Sequence, residues 1–132
     1  MRCLWRDSRR RVGRRLVKVG VVLGLALTAL PGPVQAEERC GWLENPTPGN
    51  FWLKDPHGLW TISAQGGPYA EGVEKVPGPT PDRFVATNGR YGYSCACVSG
   101  TFDAHAQTMT RVDAARVSPL SVCGDDKSLP AP

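Results

Sequence analysis

The sequence predicts a mainly β protein: a small disulfide-stabilised antiparallel β barrel or sandwich that follows a cleaved export signal. Three observations carry that prediction. From residue 37 onward Gly and Pro make up 21 of 96 residues, alongside three Trp, three Tyr and three Phe; this is too rich in breakers for a helical bundle and too aromatic for a disordered chain. The same segment holds four cysteines, an even number, as a disulfide framework requires. Its apolar residues fall in short alternating runs divided by turn residues, the pattern of short strands.

Residues 1–36 read as a signal peptide. A basic stretch ending at Lys18 precedes the apolar run Val19 to Leu30, Pro31-Gly32-Pro33 breaks the helix, and Val34-Gln35-Ala36 offers small residues for cleavage after Ala36. The run is about a dozen residues where a membrane span needs roughly 20, so no stable span is expected. Arg9-Arg10-Arg11 and Arg14-Arg15 leave the twin-arginine route open beside the general secretory one. A periplasmic or secreted location follows. Counted by segment, residues 1–36 carry +7, whereas residues 37–132 hold eight basic and eleven acidic side chains, net −3. The overall basicity thus belongs to the leader, and a basic nucleic-acid footprint is excluded for the rest.

Export sets the state of the cysteines. Cys40, Cys95, Cys97 and Cys123 are expected to form two disulfides in an oxidising compartment. A Cys95–Cys97 bond is disfavoured, because i and i+2 side chains of a strand stand about 6 to 7 Å apart. Cys40 is therefore expected to bond one of them and Cys123 the other, each link contributing roughly 3 to 4 kcal/mol by restricting the unfolded chain.

Residues 37–132 read as one small β domain. Its clearest hairpin is Phe51 to Lys54, a turn Asp55-Pro56-His57-Gly58, and Leu59 to Ala64. That register sets Leu53 against Trp60 and Phe51 against Ile62, gathers Phe51, Leu53, Trp60, Ile62 and Ala64 on the core side, and leaves Trp52, Leu59, Thr61 and Ser63 on the other. Residues 66–82 carry Gly or Pro at short intervals and read as a lid or surface loop. A strand from Arg83 to Thr87 follows, then Asn88-Gly89 as a two-residue hairpin turn and a long strand from Tyr91 to Phe102. On that strand Ala96, Val98 and Phe102 share one side and Cys95 and Cys97 the other, and the pattern does not choose the inward face. Asp103 to Ala106 turns into a further strand beginning at Gln107, and residues 113–117 fit a strand or a helical turn. A five-stranded barrel of the oligonucleotide-and-oligosaccharide-binding (OB) shape accommodates these elements.

At Arg39-Cys40-Gly41-Trp42, Asn45 to Asn50, Gln65-Gly66-Gly67, Tyr91-Gly92-Tyr93 with Cys95-Ala96-Cys97, and Pro119-Leu120 running to Cys123, Asp126 and Leu129, the chain resembles the bacterial exported family termed domain of unknown function 4087. The resemblance spans essentially all of residues 37–132. It implies a small exported protein and no particular activity.

Catalysis is not expected. His57 and His105 sit in turn segments outside any nucleophile or zinc-protease motif, and Glu71 and Glu74 lie in the breaker-rich loop. No cofactor is expected. The reading preferred is a binding or envelope-associated accessory module, its partner an unknown envelope component, peptide or glycan, with Trp52 and Thr61 as candidate ligand contacts because an aromatic on a polar face invites a partner. The alternative is a metal-binding or redox role, with Cys95 and Cys97 offering soft ligands to copper or zinc and Cys40, Cys123 or a histidine completing the shell.

Overall fold

The structure, a computed structural model, describes residues 36–132; the expected signal peptide lies, up to Gln35, outside the described residues. Six strands form: β1 (Glu37–Asn45), β2 (Phe51–Asp55), β3 (Gly58–Ser63), β4 (Phe84–Asn88), β5 (Tyr91–Asp103) and β6 (Thr108–Ser118), followed by one short helix, α1 (Leu120–Gly124). The sheet order is β1-β2-β3-β6-β5-β4, and β1 also pairs with β5. Five strands thereby close a ring of pairings. All are antiparallel except β3 with β6, which meet in parallel at Thr61 opposite Thr108.

β5 is the strand the others are built on. Gly92–Gly100 pairs with β1, while on the other edge Tyr91–Ser94 pairs with β4 and Cys95–Asp103 with β6. Both of its faces are covered, which resolves the choice the alternation pattern leaves open. Ala96 and Val98 face the main core with Leu43, Leu53, Trp60, Ile62, Met109 and Val112. Cys95 faces a second cluster with Trp42 and Cys123, against which Tyr93, Leu120 and Leu129 pack.

The first hairpin keeps the expected pairing of Leu53 with Trp60, but Phe51 lies opposite Ser63 instead of Ile62. A bulge between Phe51 and Trp52 causes the shift. Two consecutive β3 residues then turn inward, as a bulge allows: Ile62 and Ser63 are both buried, and the Ser63 hydroxyl donates to the Gly49 carbonyl at 2.8 Å. Ser63, expected on the polar side, is thus a core-edge residue, and Phe51 is half-buried at the rim. The second hairpin turn is displaced by one residue. Asn88 pairs with Tyr91, so the loop residues are Gly89 and Arg90, with Gly89 at φ 60°, a left-handed value that glycine adopts without a Cβ clash.

The Gly/Pro-rich segment 66–82 is not only a lid or surface loop. The Ala70 N–H donates to the Ile62 carbonyl on β3, the Glu71 N–H to the Thr110 carbonyl on β6, and the Glu71 carbonyl accepts from the Val112 N–H. This stretch is inserted between β3 and β6 and spans the gap where those strands share one register pair. Ala70, Val73 and Val76 then bury their side chains in the main core around a 3-10 turn, Val73–Lys75. Breakers exclude a long element, but three small apolar side chains between them still suffice to plug an opening.

Close backbone approach fixes one glycine inside a strand. A Cβ on Gly41 would lie 2.9 Å from the Lys54 carbonyl carbon and nearer still to its oxygen, so β1 can be pressed between β5 and β2 there only without a side chain.

One end of the core is closed by charge. The Arg39 guanidinium lies 4.2 Å from the Trp60 ring centroid and 5.1 Å from that of Phe102, and donates to Asp55 Oδ2 at 2.9 Å. Asp55 Oδ1 accepts the His57 N–H at 2.7 Å, so one carboxylate both shapes the hairpin turn and neutralises the arginine. Burial pushes the Asp55 carboxyl up, but the Arg39 hydrogen bond, a weaker pull from the Trp60 indole and the His57 N–H outweigh it and hold its pKa below the ordinary value of 3.8. Because the folded-state pKa is lowered, the stabilisation is complete above pH 3.8 and is lost as the pH falls through the folded-state value.

Two predictions follow from this packing. Trp60→Ala should cost about 3 to 5 kcal/mol by emptying a core site, whereas Trp52→Ala, outside both core clusters, should stay within about 1 kcal/mol; urea unfolding compares the two. Arg39→Ala should cost roughly 3 kcal/mol by leaving the buried Asp55 carboxylate uncompensated. In Asp55→Asn the fall in melting temperature between pH 5 and pH 2 should be shallower than in the parent; equal slopes would show that this pair does not govern acid stability.

Candidate functional site

The outward-facing residues of β5, β1, β2 and β3 form a continuous surface, because register places them side by side. Tyr93 pairs with Glu44, Glu44 with Trp52, and Trp52 with Thr61, giving one row across four strands. The next row runs Cys95, Trp42, Lys54, Leu59. Trp52 and Thr61, singled out from the sequence, are therefore neighbours and both half-buried, with Tyr93 two strands away in the same row. Leu59 in the second row is exposed.

Trp42 differs from Trp52. It is buried at 6 % exposure and meets Tyr93 edge to face, with ring centroids 5.4 Å apart at 83°, the geometry that aromatic quadrupoles favour. Its cover comes from the segment beyond α1. Leu129 packs against the Trp42, Cys95 and Cys123 cluster, the Trp42 indole Nε1 donates to the Pro130 carbonyl at 3.1 Å, and Lys54 Nζ donates to the Ala131 carbonyl at 3.2 Å. Lys54 also pairs with Glu44 at 2.6 Å. Beside this strap an open pocket of about 220 Å³ is lined by Glu44, Pro46, Lys54, Thr87, Gly92, Tyr93 and Pro132. The site therefore offers aromatic surface, one ammonium and one carboxylate.

Both disulfides lie on this same side of the sheet, at the end of the surface beyond Trp42. Cys40 is bonded to Cys97 and Cys95 to Cys123. The first joins directly opposed residues of β1 and β5, and the second fastens α1 to β5. They close loops of 57 and 28 residues in sequence separation, each contributing about 4 kcal/mol in the chain-entropy account. Cys95 and Cys97 project to the same side of β5 but are bonded to different partners, so in this state the Cys-x-Cys pair presents no thiolates.

Of the residues that close this site, Lys54, Glu44 and the strap escape a reading of single strands, because they come together through pairing and through a segment without regular structure. Arg39 and Asp55 were legible in principle. Period two sets Arg39 on the side of Gly41 and Leu43, and Asp55 on that of Leu53, so opposite charges share the inward face.

The disulfides differ in exposure, which sets their order of reduction. Cys40 is exposed and Cys123 is 3 % exposed. Exchange needs an attacking thiolate to reach a sulfur, so limited dithiothreitol followed by alkylation and peptide mapping should label Cys40 and Cys97 first. Labelling of Cys95 and Cys123 first would contradict the burial of the second bond.

Residues matched to a family model cover β1 through Pro130, the first half of the strap. No curated protein and no solved structure matches the chain. With 34–130 of its residues aligned to the family described as "Protein of unknown function (DUF4087)", the chain belongs to that family.

Proposed function

We propose that the protein is an exported, disulfide-stabilised binding module without catalysis, which holds a peptide or glycan component of the envelope on the outer face of β1, β2 and β3. The observation that carries this is the row Tyr93, Glu44, Trp52, Thr61, which has an open pocket beside it and keeps a Trp half-exposed at the centre of a sheet face. The ring of pairings supports the OB-like reading: five strands close through a parallel β3–β6 contact, and folds of that shape bind polymers across their second and third strands. Two disulfides suit an oxidising compartment, and the net charge of −3 from residue 37 onward disfavours nucleic acid.

A metal reading has one observation in its favour. Donor atoms of Glu38, Cys40 and Cys97 all lie within 4.8 Å of one another. The two sulfurs are bonded to each other, however, so this site would exist only after reduction.

Protein recovered from the periplasm should begin at Glu37; an intact species retaining Arg14 and Arg15 would overturn the export reading. Titrating isotopically labelled protein with an N-acetylglucosamine oligomer and with proline-containing peptides should shift the amides of Glu44, Trp52, Thr61 and Tyr93. Trp52→Ala should weaken that binding at least tenfold. Shifts confined to β4 or to the 66–82 segment would place the ligand elsewhere and end this proposal.

A further inference from the structure

We propose that the groove beneath the segment Leu129–Pro132 is a binding site for an extended, proline-containing peptide, and that this segment fills it in cis. The inference rests on the binding-module reading above and narrows its ligand to one class. Three features of the groove point there.

First, the groove reads main chain. The Trp42 indole and the Lys54 ammonium donate to the carbonyls of consecutive residues, Pro130 and Ala131, which any extended peptide presents in the same succession. Second, the sequence of the occupant favours the conformation such a groove selects. Leu129 closes a turn, its N–H donating to the Asp126 carbonyl, and beyond it Ala131 precedes a proline, which biases it to extended backbone; Pro130 and Pro132 carry no N–H, so the segment cannot join the sheet as a fully bonded strand. A polyproline-type chain keeps its carbonyls free for outside donors, and its limited freedom in solution reduces the entropy lost on binding. Third, Leu129 alone is anchored, packing against Trp42, Cys95 and Cys123. Pro130, Ala131 and Pro132 are exposed, so the cis occupant is held by one side chain and two hydrogen bonds. Open space of about 220 Å³ on one side and about 360 Å³ on the other adjoins it, room for a peptide longer than four residues.

A peptide fits this chemistry better than a glycan does. The two donors face successive carbonyls and the well beside them takes an aliphatic side chain, a combination that sugar rings do not supply. A peptide with the pattern Leu-Pro-x-Pro in another chain would make the same contacts once the cis segment leaves.

The test uses the full chain and a synthetic peptide copying residues 127–132 with blocked ends, read by the NMR signal of the Trp42 indole N–H. In Leu129→Asp the anchor is lost and that signal should move toward its solvent-exposed position. Added peptide should return it, with an affinity about tenfold or more above that for the parent protein, in which the cis segment occupies the site. A peptide with both prolines replaced by glycine should bind at least tenfold more weakly. Should Leu129→Asp fail to fold, Pro130→Gly loosens the segment without touching the anchored side chain and serves the same comparison. Folded variants whose Trp42 signal ignores the peptide would overturn the proposal. If an N-acetylglucosamine oligomer then shifts Trp52 and Thr61, the binding-module reading survives alone; if neither ligand shifts this face, both fall.

Discussion

A thirteen-residue strand paired along both edges, with both faces covered, leaves its neighbours little freedom. β5 is that strand. It is the shared partner of β1, β4 and β6, its inward side chains fill the main core, and its outward cysteines are tied to β1 and α1. Small domains bury too little apolar surface to be comfortable on packing alone. Here two covalent links act at the strand where most pairings already meet, so detaching β1 or α1 from β5 is opposed by a covalent bond. The energetic consequence is a rigid platform on which the outer face can hold side chains in fixed register.

That platform explains how side chains from separate strands come to share one face. Trp42, Lys54, Glu44 and Trp52 are brought together by pairing of β1 with β2, and Tyr93 joins them because β1 also pairs with β5. A one-residue slip in either pairing would turn this set inward. The Cys40–Cys97 bond pins one register and the close approach at Gly41 supports the other. At the opposite side of β1, Arg39 closes the core with Asp55 and Trp60, so the same strand supplies a charged plug inward and an aromatic face outward.

Much of this was legible in the sequence, and the rest was not for physical reasons. Leu53 against Trp60, the long strand through Cys95 and Cys97, and the Asp103 turn follow from period two and turn chemistry, which are local. Turn details shifted by one residue, at Ile62 and at Gly89, because bulges answer to the space available in the assembled core, and a pattern of apolar residues carries no record of it. The 66–82 segment reads as a loop by its breakers, yet Ala70, Val73 and Val76 are recruited by a gap between β3 and β6 that exists only once the ring has closed. The strap escaped for a similar reason: Leu-Pro-Ala-Pro shows no periodicity, and its meaning lies in the carbonyls it presents to Trp42 and Lys54. Trp52 and Thr61 were identifiable as neighbours because a single hairpin contains both.

Native-state amide hydrogen exchange tests the central role of β5 most directly. With both disulfides intact, the amides of Ser94 to Val98 should exchange only through global unfolding, the slowest in the molecule, and more slowly than those of the β2–β3 hairpin. If that hairpin outlasts β5, or if the β5 amides exchange through local openings while β2 and β3 stay protected, the strand is not the element on which the rest depends.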